Sequence, residues 1–242
     1  MSHFYLLETL DSTAVGATLV LDGPEGRHAA TVSRVRVGEV FGLGNGRGLV
    51  ISAEVIATSK DTVELRVDSV EQVKASTPAI YLVQALAKTD RDERAVEAAT
   101  ELGIDVVIPW AADRSISKWE GPKVDKGLSR WSAIVREATK QSIRAFIPHV
   151  GPHLKSSQLT SELQGVHILV LDPTGEVSLS QVELDERDIA LVVGPEGGIT
   201  EAELARFSQA GATIATLGKN ILRTSTAGPA ALAILNAKLG RC

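Results

Sequence analysis

The chain is poor in several things that would have simplified its reading. It has one cysteine, Cys242, so no intramolecular disulfide can form, and neither a thiolate zinc cluster nor a catalytic cysteine is expected. Aromatic residues make up only 4%, which leaves the core to Ala, Val, Leu and Ile. No apolar run approaches the roughly 18 residues needed to cross a bilayer. The opening MSHFYLLETL lacks the basic and apolar segments of a secretory signal, so a cytoplasmic protein is expected. Five histidines (His3, His28, His149, His153, His167) show no metal-ligand spacing beyond a loose His149/His153 pair straddling Gly151 and Pro152, and no metal is expected.

What is present is ordinary in amount and uneven in placement. Hydrophobic residues account for 44% and charged residues for 23%, with a net charge of −5. That sum argues weakly against a nucleic-acid partner, but its distribution argues the other way. Arg27, Arg34, Arg36 and Arg47 stand against Glu39 alone between positions 27 and 47. A second basic island holds Arg114, Lys118, Lys123, Lys126, Arg130, Arg136, Lys140 and Arg144 against Glu120, Asp125 and Glu137. Local phosphate contact would require such islands; an ordinary solvated surface would also contain them.

Residues 1–74 read as β structure, with stretches at Ala17–Leu21, Glu39–Leu43, Leu49–Ile56 and Thr62–Val67 separated by turns such as Gly44-Asn45-Gly46. Val63, Leu65 and Val67 alternate with charged residues, as in a strand with one wet face. One helix is expected near Gly26–Val35. Several short strands in so few residues suggest a small barrel. The composition shifts near Ala75–Pro78, a plausible linker. Beyond it, over 75–242, strands (Ala79–Ala85, Ile104–Pro109, Val166–Leu171, Ile189–Val193, Thr213–Leu217) alternate with helices (Asp92–Leu102, Lys126–Ser142, Ala227–Leu239), which argues for a parallel α/β domain.

Two loops carry the chemistry. In the first, Ile189–Val193 runs into Gly194-Pro195-Glu196-Gly197-Gly198, and Thr200 and Glu203 then form a capping box that opens a helix. Strand, glycine loop and capped helix is the order by which α/β proteins hold ligands at the carboxyl ends of their strands. It is also the order of a tight turn with no ligand. The loop is neither GxGxxG nor a P-loop, and Glu196 would repel a triphosphate. The second loop, Leu217-Gly218-Lys219-Asn220-Ile221-Leu222-Arg223-Thr224-Ser225-Thr226-Ala227, again joins a strand to a helix. The two loops are expected on neighbouring strands, facing each other at one sheet edge.

This pairing, GPEGG-I-T-x-x-E followed by LG-x-x-I-LR-T-x-T-A, closely resembles the signature of the RsmE-type 16S rRNA (uracil-N3)-methyltransferases of the SPOUT class. Upstream, Thr100-Glu101-Leu102-Gly103-Ile104, Pro109 and Arg114 follow that family's pattern, as do Trp131, Glu137-Ala138, Gln141-Ser142, Arg144 and Pro148. Arg34, Arg36, Gly38, Glu39 and Gly44-Asn45-Gly46 resemble a PUA-like domain more loosely. The resemblance implies a SPOUT-type parallel sheet with a C-terminal trefoil knot, preceded by a PUA-like β-barrel over 1–74, and a homodimer. It implies S-adenosyl-L-methionine held by Leu171, Gly194, Glu196, Gly197, Gly198, Leu217, Gly218, Ile221, Leu222 and Arg223. Where the family usually has LRTET, this chain has Ser225 in place of Glu.

Methyl transfer to a uracil N3 needs the nucleophile in line with the S–CH3 bond, so positioning should supply most of the acceleration. Arg223 could stabilise charge on the uridinate, and Glu196 could accept its proton or instead hold a loop or a ribose. The target base must leave its stack to expose N3. The rRNA, within the 30S subunit, would be gripped by Arg27, Arg34 and Arg36, extended by Arg114, Arg136 and Arg144. Rival readings are a SPOUT methyltransferase acting on tRNA or 23S rRNA, and a non-catalytic RNA-binding protein on the same fold, for which Ser225 is the hint. A grip of this kind must weaken steeply with salt. Titrations of 16S rRNA at increasing ionic strength should show it, and a salt-independent affinity would refute it.

Overall fold

In the computed structural model, which describes residues 4–241, the chain forms two compact units. His3 and Cys242, which entered the sequence reading, lie outside the described residues. One unit comprises positions up to Ala75 together with Thr139–Ile147, and the other comprises Ser76–Ala138 and the chain from Pro148 onward.

The first unit contains β1 (Phe4–Leu6), β2 (Thr18–Leu21), α1 (Gly23–Arg27), a π-helical stretch His28–Ser33, β3 (Val40–Gly44), β4 (Leu49–Thr58) and β5 (Val63–Gln72). Its five-stranded sheet runs β1-β3-β4-β5-β2. The ends of that order do not pair, so the expected barrel is realised as a curled half-barrel among the described residues. Pairings are antiparallel except β1 with β3. Val63, Leu65 and Val67 are fully buried while Glu64, Arg66 and Asp68 are exposed, as their alternation predicts. The expected helix at Gly26–Val35 begins three residues early, because Pro24 suits a first helical turn, and it loosens into the π form before Arg34. The Gly44–Gly48 turn is closed by Asn45, whose Oδ1 accepts from the N–H groups of Arg47 (2.8 Å) and Leu49 (3.1 Å). The same turn binds the later segment: Gly48 N–H donates to Ala145 O (2.9 Å) and Ile147 N–H to Gly46 O (3.0 Å). Lys140 and Glu25 add a buried ion pair at 3.0 Å.

The second unit holds β6 (Ile80–Ala85), α2 (Arg91–Glu101), β7 (Val106–Ala111), α3 (Pro122–Gln141, whose last residues count with the first unit), β8 (His149–Val150), β9 (Leu154–Lys155) and α4 (Ser156–Glu162). It continues with β10 (His167–Leu171), β11 (Val177–Ser178), β12 (Ile189–Val193), α5 (Glu201–Gln209), β13 (Thr213–Thr216) and α6 (Thr224–Lys238). All its strands pair parallel, in the order β11-β13-β10-β12-β6-β7-β8, with β9 also on β7. The parallel α/β expectation holds. Every residue of β12 is buried, as its unbroken Ile-Ala-Leu-Val-Val run requires of a strand covered on both faces.

Helix α5 begins where its capping box predicts. Thr200 Oγ1 accepts from Glu203 N–H (3.2 Å), and Thr200 N–H donates to Glu203 Oε2 (2.9 Å). Glu203 does more than cap. It is fully buried, and its Oε1 accepts from Ser156 Oγ (2.6 Å) and Asp113 N–H (2.8 Å), while Ser156 in turn accepts from Trp110 Nε1 (3.0 Å). Burial alone would push the Glu203 carboxyl up. Its hydrogen bonds from Ser156, Asp113 and Thr200 outweigh that and hold it below the ordinary value of 4.5. A carboxyl with a lowered native pKa stabilises the fold above its unfolded value, and that contribution is lost as pH falls through the native one. We expect Glu203→Ala to cost about 3 kcal/mol at neutral pH by orphaning buried donors. Glu203→Gln should flatten the loss of stability below about pH 4.5. Denaturant unfolding at several pH values checks both, and an unaltered acid limb in Glu203→Gln would contradict the assignment.

Candidate active site

The loops that leave β10, β12 and β13 at their carboxyl ends enclose a cavity of about 470 Å³. This is the edge at which open α/β sheets bind ligands, and the volume falls in the range of small-molecule sites. The loop strands are not neighbours, contrary to the sequence expectation. Strand β10 lies between β12 and β13, paired to both. The reason is topological: β12 inserts between β10 and β6, so the strand next in sequence must add on the far side of β10. Leu171, at the end of β10, thereby becomes part of the cavity wall between the two loops.

Leu171, Gly194, Glu196, Gly198, Leu217, Gly218, Ile221, Leu222 and Arg223 all line this cavity. Gly197 does not; it faces Arg114, whose Nη1 donates to Gly197 O at 3.0 Å. Gly198 has a φ of +74°, and a Cβ on Gly194 would meet Ile199 Cγ1 at 2.6 Å, so the loop's course depends on these glycines. Apolar side chains from Leu171, Val193, Ile199, Leu217 and Leu222 and the backbone of two glycine loops make up much of the wall. Ile221 is 83% exposed at the rim.

The carboxylate of Glu196 is not free. Its Oε1 accepts from Arg91 Nη1 (2.8 Å) and from Lys88 N–H (3.1 Å). Partial burial raises its pKa, but hydrogen bonds from backbone N–H groups and from Arg91 outweigh this and leave it lowered. A carboxylate so held ties the glycine loop to the turn after β6 and is a weak proton acceptor. Arg223 is exposed, on the cavity wall immediately before α6.

That helix starts at Thr224, three residues earlier than the sequence suggested, because Thr224 is recruited inward. Its Oγ1 accepts from Gln84 Nε2 (2.8 Å) and donates to Gly194 O (2.8 Å). Gln84 is fully buried at the end of β6, opposite Val193 in the pairing register. One hydroxyl thus fastens the second loop to the first. Gln84 and Arg91 had no place in the expected site, and Thr224 stood in it only as one of the hydroxyls of the second loop. Gln84 did carry a signal, as a lone polar residue in the apolar run Ala79–Ala85.

Of the residues proposed to grip RNA, Arg27, Arg34 and Arg36 are exposed on one stretch of the first unit, with Arg34 in the left-handed region (φ 54°) and Arg27 paired to Asp61 (3.2 Å). Arg144 is half-buried and counts with the first unit, while Arg136 pairs with Glu137 (3.2 Å) in the second. Among the described residues, no cluster of His, Cys, Asp and Glu is placed to hold a metal, and no helix is long and apolar enough to cross a membrane. His153 stacks against Trp119 at 5.5 Å.

The turn between β6 and α2 is strapped by a second carboxylate. Asp92 is buried and accepts from Glu93 N–H (2.9 Å) and Ala87 N–H (3.2 Å). Burial pushes its carboxyl up to about 6 against the lowering effect of those bonds. A raised native pKa favours the fold below the unfolded value, and that advantage is lost as pH rises through the native one. Wild-type stability should therefore decline between about pH 4 and about 6. Asp92→Asn should remove the decline and gain on the order of 2 kcal/mol at pH 7.5, measured by urea unfolding. An unchanged slope in the variant would rule this out.

Residues 74–236 match the family described as RNA methyltransferase domain, and residues 21–68 the one described as RNA methyltransferase PUA domain. A ribosomal RNA small subunit methyltransferase E from Mycobacterium bovis is 40% identical over 238 residues, covering 96% of this chain and 90% of that protein. One from Bacillus subtilis is 29% identical over 246 residues, covering 98% and 96%. The crystal structure of a ribosomal RNA small subunit methyltransferase E from Neisseria gonorrhoeae, bound to S-adenosylmethionine, aligns with a TM-score of 0.88 at 29% identity over 98% of each chain.

Proposed function

The chain belongs to the family of the small-subunit ribosomal RNA methyltransferases E, and on that premise we propose that it methylates N3 of a uridine in 16S rRNA of the 30S subunit. Dependence on S-adenosylmethionine follows from the family and from the cofactor bound by its structural neighbour. The observation that carries the reading is the cavity itself, because both signature loops and the end of β10 meet around one volume. The wall fits this cofactor. Apolar side chains suit an adenine ring, and the backbone of two glycine loops offers donors and acceptors at fixed positions. When bound, the cofactor supplies an electrophilic methyl group.

The chain's own residues then have separable tasks. Glu196, tied to Arg91 and Lys88, fixes the first loop. Thr224, through Gly194 and Gln84, fixes the second against it. Arg223 is the cation on the wall next to that junction and stabilises negative charge on a uracil whose N3 proton passes to solvent water. No carboxylate is available at Ser225, so charge stabilisation and alignment carry the step. Residues 1–74 and the exposed Arg27, Arg34 and Arg36 hold the RNA. We further infer the trefoil knot and a cytoplasmic homodimer. The insertion of β12 inside β10, the placing of β13 outside it and the return of α6 onto β12 and β6 support the knot.

Transfer of labelled methyl to 30S subunits from cells lacking this protein should yield 3-methyluridine in 16S rRNA, identified by mass spectrometry. Arg223→Gln should lower kcat about 100-fold. Methyl transfer to tRNA or 23S rRNA alone would overturn the target and leave the cofactor; an unimpaired Arg223→Gln would remove Arg223 from the mechanism.

A further inference from the structure

The loop Gly194–Gly198 is held on successive residues. Glu196 is bound through its carboxylate by Arg91 and Lys88. Gly197 is bound through its carbonyl by Arg114 Nη1 at 3.0 Å. Gly198 N–H closes the turn on Pro195 O at 2.9 Å. The Arg114 contact is also steric, since a Cβ on Gly197 would lie 3.1 Å from Arg114 Cβ and 3.5 Å from Arg114 O. Arg114 is not among the residues that line the cavity. Its own backbone is anchored on both sides: Asp113 N–H donates to the buried Glu203, and Ser115 N–H donates to Ala112 O at 3.0 Å.

From this geometry we propose that Arg114 is a positioning residue for the cofactor loop, holding the Gly197 carbonyl, and is not part of the RNA grip. The inference rests on the reading that the cavity takes S-adenosylmethionine. A guanidinium is suited to the task because it donates in a fixed plane and stays charged at any working pH. Its aliphatic stem packs so close to Gly197 that a Cβ there would crowd it by a few tenths of an ångström. A residue that shapes a loop in this way acts on cofactor affinity. A phosphate contact would act on RNA affinity, and specifically on its salt dependence.

Those two consequences separate cleanly in one set of measurements on the full chain. Cofactor affinity is measured by calorimetry without RNA, and RNA affinity by titration with 16S rRNA at several salt concentrations. Arg114→Met should weaken S-adenosylmethionine binding about tenfold while RNA affinity and its salt slope stay at wild-type values. Arg114→Lys, which keeps a donor for the Gly197 carbonyl, should recover most of the loss. Gly197→Ala, which crowds Arg114 but leaves its charge, should reproduce the cofactor defect at full RNA affinity, and it guards against a folding defect peculiar to position 114. Wild-type cofactor affinity in Arg114→Met overturns the proposal. If its RNA salt slope also falls by roughly 0.7–0.9, the arginine belongs to the RNA grip. Failure of the wild-type protein to bind the cofactor would overturn the functional reading and this inference with it, a result visible before any variant is made.

Discussion

A single buried carboxylate organises the catalytic half of this protein. Glu203 is removed from water completely, which is affordable only because hydroxyl and amide donors from three places converge on it. Those places are the chain after β7, the first residue of α4 and the first turn of α5. Each would otherwise be an independent loop or helix end with its own freedom. Held on one anion, they fix the far end of the glycine loop and the backbone on which Arg114 stands. Trp110, through Ser156, extends the same network into the apolar core, where its ring meets Phe207 edge-on at 5.8 Å.

The near end of the loop is fixed by a different device. The hydroxyl of Thr224 links Gln84 on β6 to the carbonyl of Gly194, so the two signature loops are joined at the carboxyl edge of the sheet. Buried polar groups call for partners: here Gln84 Nε2 finds Thr224 Oγ1, and that hydroxyl finds Gly194 O, two residues that do border the cavity, while Gln84 Oε1 is left without a partner among the described residues. The cavity is therefore shaped by hydrogen bonds made behind its wall. Its lining is left mostly to glycine backbone and aliphatic side chains, a division of labour suited to a ligand recognised by main-chain groups.

Much of this was legible beforehand because it is local. Thr200 and Glu203 are three residues apart, and the capping box follows from that spacing alone. The alternation at Val63, Leu65 and Val67 and the apolar run of β12 likewise depend only on near neighbours. What was missed is non-local. Nothing in the order of the residues places β10 between β12 and β13, and a tertiary hydrogen bond draws Thr224 into the helix earlier than local preference suggests. The roles of Glu196 and Arg114 were ambiguous for the same reason: their partners, Arg91 and Gly197, lie about a hundred and about eighty residues away. A charged side chain announces that it will find a partner without announcing which one.

The insertion of β12 between β10 and β6 has a consequence in time as well as in space. Strand β13 pairs with β10 on the side away from β12, and α6 returns to place Thr224 against Gln84, 140 positions earlier in the chain. Contacts over such separations form slowly, and long-range parallel pairing is intrinsically slow. As the chain emerges during synthesis, the half-barrel and the strands up to β12 have the opportunity to form well before the segment 217–238 is made. Because that segment supplies much of its wall, the binding cavity cannot be complete before the segment is made. A newly made chain can therefore hold its ligand only after the segment 217–238 has been synthesised and has folded against β6 and β12.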